Sequence, residues 1–174
     1  KTNESYALAK IVGMKLCESL RIQKKFDAFS LMPTNLYGPG DNYDEENSHV
    51  FAALIKKFAI AKLNNLDNVI CWGDGSPKRE FLHVDDLGAA CVFCLEKFSQ
   101  DLGGDISKSI FSNSFLNVGT GKDISIFELA NTIKEKVSFD GKLLWDKSKP
   151  NGTPQKKLDV SRINDLGWHS EISL

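Results

Sequence analysis

The glycine fingerprint G-x-G-x-x-G, with which a strand and a helix grip the phosphates of a dinucleotide, occurs nowhere in these 174 residues. The nearest approach, "NVGTGKDIS" over 117–125, lacks the third glycine. Its Gly121-Lys122 is followed by Asp123 where a phosphate-binding loop needs Ser or Thr, so it reads as a tight turn into a helix. Also missing is any apolar run near the roughly 20 residues that cross a bilayer, and any basic-then-apolar start of the kind that directs secretion. The cytoplasm is the expected location. Charge of one sign is lacking too: 22 Lys and Arg face 23 Asp and Glu, for a net charge of −1. That balance leaves no electrostatic footprint for nucleic acid or an anionic membrane. The four cysteines, at 17, 71, 91 and 94, lack the spacing of a secreted disulfide framework. Cys91 and Cys94 form one CxxC, but within the helical pattern "LGAACVFCLEKF" they share an apolar face as small hydrophobes. A structural zinc site needs a second ligand pair, and no metal is expected.

What is present is enough for one ordinary domain: 41% of the residues are hydrophobic. Apolar residues at Ala7, Ile11 and Met14, and at Ala9, Leu16 and Leu20, predict a helix from Ser5 to about Leu20. "FDAFSLM", Phe26 to Met32, reads as a strand stopped by Pro33. "PTNLYGPGDNYDEENS" has the composition of an ordered functional loop. A helix follows from Ser48, its expected N-cap, to about Leu63. "NVICWGDG" reads as a strand and turn and "REFLHV" as another strand. Asp85 or Asp86 is expected to cap a helix running to about Phe98, followed by a surface loop over 99–114. Then come the strand "FLNVG", the helix "ISIFELANTIKEKV", the strand "GKLLWD" and a short final helix in "VSRINDLGW" stopped by Gly167. Alternating strands and helices predict an α/β layer architecture containing parallel pairs. The text opens on Lys1 in mid-phrase, as the rear portion of something longer would.

The chemistry begins in "ESYALAK". Tyr6 and Lys10 stand at i and i+4 and so share one side of the helix. A phenol transfers protons poorly at neutral pH until a nearby cation favours the phenolate, and an ammonium four residues on is such a cation. Taken alone, Tyr-x-x-x-Lys also describes any half-buried ring beside a solvated lysine. The phrases that follow it change the weight.

"YALAK", "PTNLYGPGDN", "NSHV" and "REFLHVDD", in that order, together resemble the extended short-chain dehydrogenase/reductase family acting on nucleotide-sugars. The resemblance implies the C-terminal part of a Rossmann-type fold with a smaller α/β substrate-binding domain. Residues 1–32 would be the rear of the dinucleotide-binding domain, holding the catalytic helix and a strand. Residues 33–84 would be a substrate-binding segment, 85–120 a helix and strand returning to the Rossmann sheet, and 121–174 a second substrate-binding segment. The fuller strings "TNESYALAKIVGMKLCES", "MPTNLYGPGDNYDEENSHV", "WGDGSPKREFLHVDD" and "KPNGTPQKKLDVSRINDLGW" are similar to one group within the family. Its members epimerise GDP-4-keto-6-deoxymannose at C3 and C5 and reduce C4 with NADPH.

Roles follow by resemblance, position by position. Tyr6 would protonate the alkoxide forming at C4, and Lys10 would lower its pKa and bind the nicotinamide ribose. His49 would reprotonate the sugar carbons and also lie at the cofactor. Pro33, Thr34, Asn35 and Leu36 would meet the nicotinamide end of NADPH. Lys57, Trp72, Arg79 and Asn151 would hold the GDP-sugar. The family often has arginine at the position of Lys57 and aspartate at that of Asn151. Its catalytic serine and its epimerisation cysteine would precede Lys1, so none of the four cysteines here would play that part. His83 reads as a core or supporting residue, and His169 receives no role. The complete enzyme would be a homodimer, its tyrosine-lysine helix contributing to the interface, with no nucleic-acid or membrane partner. This chain by itself is expected to turn nothing over and to bind GDP weakly. Two other readings stay open: a different nucleotide-sugar epimerase or dehydratase of the family, or a noncatalytic nucleotide-sugar-binding piece that self-associates through bare strand edges.

Overall fold

The computed structural model describes residues 4–26, 28–44, 48–101 and 115–174. It opens on helix α1 (Glu4–Lys24), whose acidic first turn and basic last turn suit the helix dipole. Three parallel strand pairs organise the rest. β1 (Ser30–Pro33) pairs with β5 (Phe115–Val118), β2 (Asn35–Tyr37) with β4 (Lys78–His83), and β3 (Asn68–Trp72) with β7 (Lys142–Asp146). The first half of β4 also pairs antiparallel with β6 (Asp123–Ser125) and parallel with the two-residue β8 (Gln155–Lys156). Helices α2 (Val50–Leu63), α3 (Val84–Asp101), α4 (Ile126–Val137) and α5 (Ser161–Asp165) cover these strands.

β4 is the wall between two apolar cores. Successive strand residues face opposite sides, so Phe81 enters a core with Phe58 of α2, Val69 and Cys71 of β3, and Leu129 and Ile133 of α4. Leu82 enters the other, with Cys94 of α3, Leu116 and Val118 of β5, and Ile163 of α5. Each such large side chain, fully buried, contributes about 1.5–3 kcal/mol. α1 stands apart from both cores. Of its side chains only Arg21 is buried, while Leu8, Ile11, Val12, Leu16 and Ile22 are all more than half exposed.

Several expected boundaries move, each for a packing reason. The strand predicted over Phe26 to Met32 begins only at Ser30, where Phe115 of β5 first supplies a partner; Lys25 takes a left-handed conformation after α1, and Phe26 is 57% exposed. The loop after Pro33 contains β2, held by β4. α2 starts one residue later than Ser48 predicts, with His49 as N-cap. α3 begins at Val84 rather than after a cap at Asp85 or Asp86, and Asp86 is buried, accepting the N–H groups of Glu171 and Ile172 at 3.2 and 3.0 Å. Ile124 belongs to β6 and not to the helix, because Ser125 caps α4: its hydroxyl accepts the Glu128 N–H while the Glu128 carboxylate accepts the Ser125 N–H. α3 runs to Asp101, and most of the expected loop over 99–114 lies outside the described residues. Gly167, at φ +99°, closes α5 as expected.

Candidate active site

Tyr6 and Lys10 share one face of α1, with Lys10 Nζ 5.4 Å from the Tyr6 ring centroid. The phenol is 68% exposed, so this face is open rather than walled off by packing. At the C-terminal end of β1, the Thr34 N–H donates to Val118 O at 3.0 Å, Thr34 Oγ1 donates to Glu80 O at 3.1 Å, and Asn35 Nδ2 donates to the same carbonyl at 2.8 Å. The Asn35 amide thus has a strand-terminating task. Pro33 and Asn35 are exposed and Leu36 is half-buried. A loop leaving the C-terminal end of a parallel strand is where α/β folds bind ligands.

His49 caps α2 through its backbone, whose carbonyl accepts the Ala53 N–H at 2.9 Å, while its exposed imidazole makes no capping hydrogen bond. The next residue, Val50, lines a cleft of about 180 Å³ together with Trp72, Arg79, Ile126 and Asn151. Trp72 is 70% exposed at the end of β3 and therefore a surface platform rather than core. Lys57 Nζ lies 5.8 Å from the Trp72 ring and donates to Ile70 O at 3.2 Å. Arg79 Nη1 donates to Lys78 O and to Thr153 O, at 2.6 and 2.7 Å, and so ties the 150–153 stretch to β4. Asn151 Oδ1 accepts the Asp74 N–H at 3.1 Å. Gly73, at φ +79°, is required there, since any Cβ would collide with the Asn151 carboxamide. Hydrogen bonds from Ser76 and then Asn151 hold the Asp74 carboxyl down at about 2.

Four separate stretches, around 57, 72, 79 and 151, therefore meet at one place, with Val50, the residue after His49, at its wall. No residue of α1 lines this cleft. His83 is half-buried, accepts the Asp85 N–H at Nδ1 and meets Tyr37 edge-on, in keeping with a supporting position. His169 is exposed. All four cysteines are free thiols, and burial pushes the Cys94 thiol up to about 11. Among the described residues no cluster of three or more His, Cys, Asp or Glu side chains forms, and no helix is long and apolar enough to cross a membrane.

Sequence reasoning missed Glu80. It is completely buried, with Oε1 accepting the Gly121 N–H and Oε2 the Leu158 N–H, both at 2.8 Å, and Thr120 Oγ1 at 3.5 Å. The available signal was a carboxylate in the middle of an apolar strand, directly after the arginine of "REFLHV". A buried acid needs donors, and two segments distant in the chain, 120–121 and 158, supply them.

Residues 1–107, from the tyrosine-lysine helix through β4 and α3, match the model of the NAD dependent epimerase/dehydratase family. The chain belongs to that family. Among relatives of this epimerase/dehydratase chain, GDP-L-fucose synthase 1 of Arabidopsis thaliana is 51% identical over 99% of it and GDP-L-fucose synthase of Escherichia coli K12 is 50% identical over 99%. The matches take in 50% and 53% of those proteins, so the chain spans about half the length of the curated relatives it matches. Among solved structures, a GDP-D-glycero-L-gluco-heptose synthase from Campylobacter jejuni, determined in the presence of NADPH, superposes with a TM-score of 0.86 at 32% identity. That superposition covers 99% of this chain and 57% of the other. The α/β architecture is thus that of about half of a Rossmann-type epimerase/dehydratase.

Proposed function

We propose that this chain supplies the proton-transfer helix and the GDP-sugar site of a GDP-L-fucose synthase. Such an enzyme epimerises GDP-4-keto-6-deoxymannose at C3 and C5 and reduces C4 to give GDP-L-fucose. The observation that carries the reading is the convergence of Trp72, Arg79 and Asn151 on one cleft, with Lys57 across the indole ring. An exposed aromatic plane beside fixed cations suits a base joined to a diphosphate, because the ring offers a stacking face and the cations meet the phosphate charge. In this reading the domain boundaries are those expected from the sequence, the enzyme works in the cytoplasm, and the complete protein is a homodimer. The exposed apolar side chains of α1 support the last point.

The residues present suit the nicotinamide end of NADPH and not its phosphates. Tyr6 and Lys10 are open on one face, and the β1 end over 33–36 is partly exposed, but no glycine fingerprint occurs in the chain. When bound, NADPH supplies hydride to C4. Tyr6 gives its phenolic proton to the oxygen that becomes an alkoxide there, and the Lys10 ammonium stabilises the phenolate left behind. His49, whose imidazole makes no capping hydrogen bond at the start of α2, returns protons to C3 and C5 after abstraction next to the ketone. Lys57 and Arg79 hold the diphosphate, and Asn151 orients the nucleotide through the turn at Asp74.

The test joins this chain behind the N-terminal half of the E. coli relative and supplies GDP-4-keto-6-deoxymannose with NADPH. The fusion is expected to form GDP-L-fucose. Tyr6→Phe should slow C4 reduction by at least about 100-fold, the lower range for one acid-base group, while solvent deuterium still exchanges at C3 and C5. His49→Gln should cut that exchange more than it cuts reduction. A folded fusion that binds both ligands yet reduces C4 without exchange at C3 and C5 would refute the assignment in favour of another nucleotide-sugar chemistry.

A further inference from the structure

Two ammonium groups lie near the Trp72 ring, and the resemblance accounts for only one of them, Lys57. The other is Lys149, with Nζ 5.6 Å from the ring centroid. An exposed cation gains only a weak attraction from an aromatic face, and two like charges around one ring repel each other. An anion shared between them reverses that balance. The acid nearest in the chain, Asp146, feels the Lys149 charge but makes no ion pair with it among the described residues, its Oδ1 instead accepting the N–H and the hydroxyl of Ser148, at 3.0 and 2.6 Å. The other cations are partly committed to the protein. Arg79 spends Nη1 on two backbone carbonyls, and Lys57 donates to Ile70 O. Lys149 Nζ donates to no acceptor among the described residues.

The loop that carries Lys149 is well tied. Its backbone N–H bonds Asp146 O at 3.2 Å, Asn151 bonds Asp74, Thr153 O accepts Arg79, and Pro154 O accepts the Lys78 N–H at 2.8 Å. The ammonium is therefore delivered to Trp72 by a braced turn, and little of its loop has to be ordered when a ligand arrives. We propose that Lys149 is a binding residue for the diphosphate of the nucleotide-sugar, and that it sets the preference of this cleft for a nucleoside diphosphate over a monophosphate. The proposal rests on the reading of the cleft as a GDP-sugar site.

The experiment is equilibrium dialysis of the 174-residue chain at low ionic strength against GDP, GMP and guanosine. Lys149→Gln should weaken GDP about fivefold, the effect of one exposed charge-assisted contact, and GMP by less than about twofold, with guanosine unchanged. Lys149→Arg should restore GDP binding to within about twofold, and the effect should shrink as salt rises. Lys147→Gln, which removes the same charge two residues away, should leave GDP within about twofold. Equal GDP affinity in Lys149→Gln and the unaltered chain overturns the proposal, as does an equal loss in Lys147→Gln or an equal loss for guanosine. GDP binding that Lys149→Gln leaves untouched removes this assignment alone, whereas an unaltered chain that binds no GDP removes the reading of the cleft as well.

Discussion

Removing the Glu80 side chain tests what joins the two cores. Its carboxylate is wholly buried and accepts N–H groups from Gly121 and Leu158, each at 2.8 Å. In Glu80→Ala both donors lose their acceptor in a site closed to solvent. A buried polar group left unpaired costs about 1–3 kcal/mol, so the pair costs about 2–6 kcal/mol before any cavity term. Glu80→Gln keeps the shape and one acceptor oxygen, strands one N–H against an amide, and should cost about 1–3 kcal/mol. Against a typical total of about 5–15 kcal/mol, the alanine variant gives up a large share of the stability. Urea unfolding followed by far-ultraviolet circular dichroism reads this directly. With a slope of about 2 kcal/mol per molar, the midpoint of Glu80→Ala should fall by about 1–3 M. A loss below about 1 kcal/mol, or equal losses in the two variants, would mean that apolar packing around Leu82 and Phe81 holds the cores together and the polar hub is incidental.

Other outcomes are equally direct. Hydrogen bonds lower the folded-state pKa of Asp74 from 3.8 to about 2, so their stabilisation is fully present above pH 3.8 and is lost as pH falls through about 2. Carbon-detected NMR should find the Asp74 carboxyl titrating near that lower value, and Asn151→Ala should move it back up towards 3.8; a midpoint unmoved by the substitution removes Asn151 from that turn. Ser125→Ala deletes the cap of α4, whose hydroxyl accepts the Glu128 N–H at 3.1 Å, and should cost about 1 kcal/mol in thermal or urea unfolding. No measurable loss would show that burial of Leu129, Ala130 and Ile133 alone sets where the helix starts.

The elements that read most clearly were those whose side-chain pattern repeats the geometry of the finished structure. "NVICW" alternates exposed and buried along β3, and "IFELANTIKEKV" places Leu129, Ala130 and Ile133 on one buried stripe. β2 and β8 did not read, since three and two residues within polar loops carry no period and exist only because β4 offers them an edge. The candidate site was legible in part. Tyr6 and Lys10 are neighbours by helical spacing alone, which is local information. Glu80 and Lys149 were not legible, because their partners lie 41, 78 and 77 residues away in the chain.

By itself, then, the sequence determined the α/β alternation, the pairing of a phenol with an ammonium on α1, and the family phrases from which the residues of the proposed nucleotide-sugar site are drawn. Those follow from spacing within a turn or a strand. Only the tertiary structure decided that Trp72 lies in the open with two lysines near its ring, that Arg79 braces the loop bearing Asn151, and that a buried glutamate fastens three segments together. Such contacts are set by how parallel strands far apart in the chain come to lie side by side, and no local pattern carries that distance.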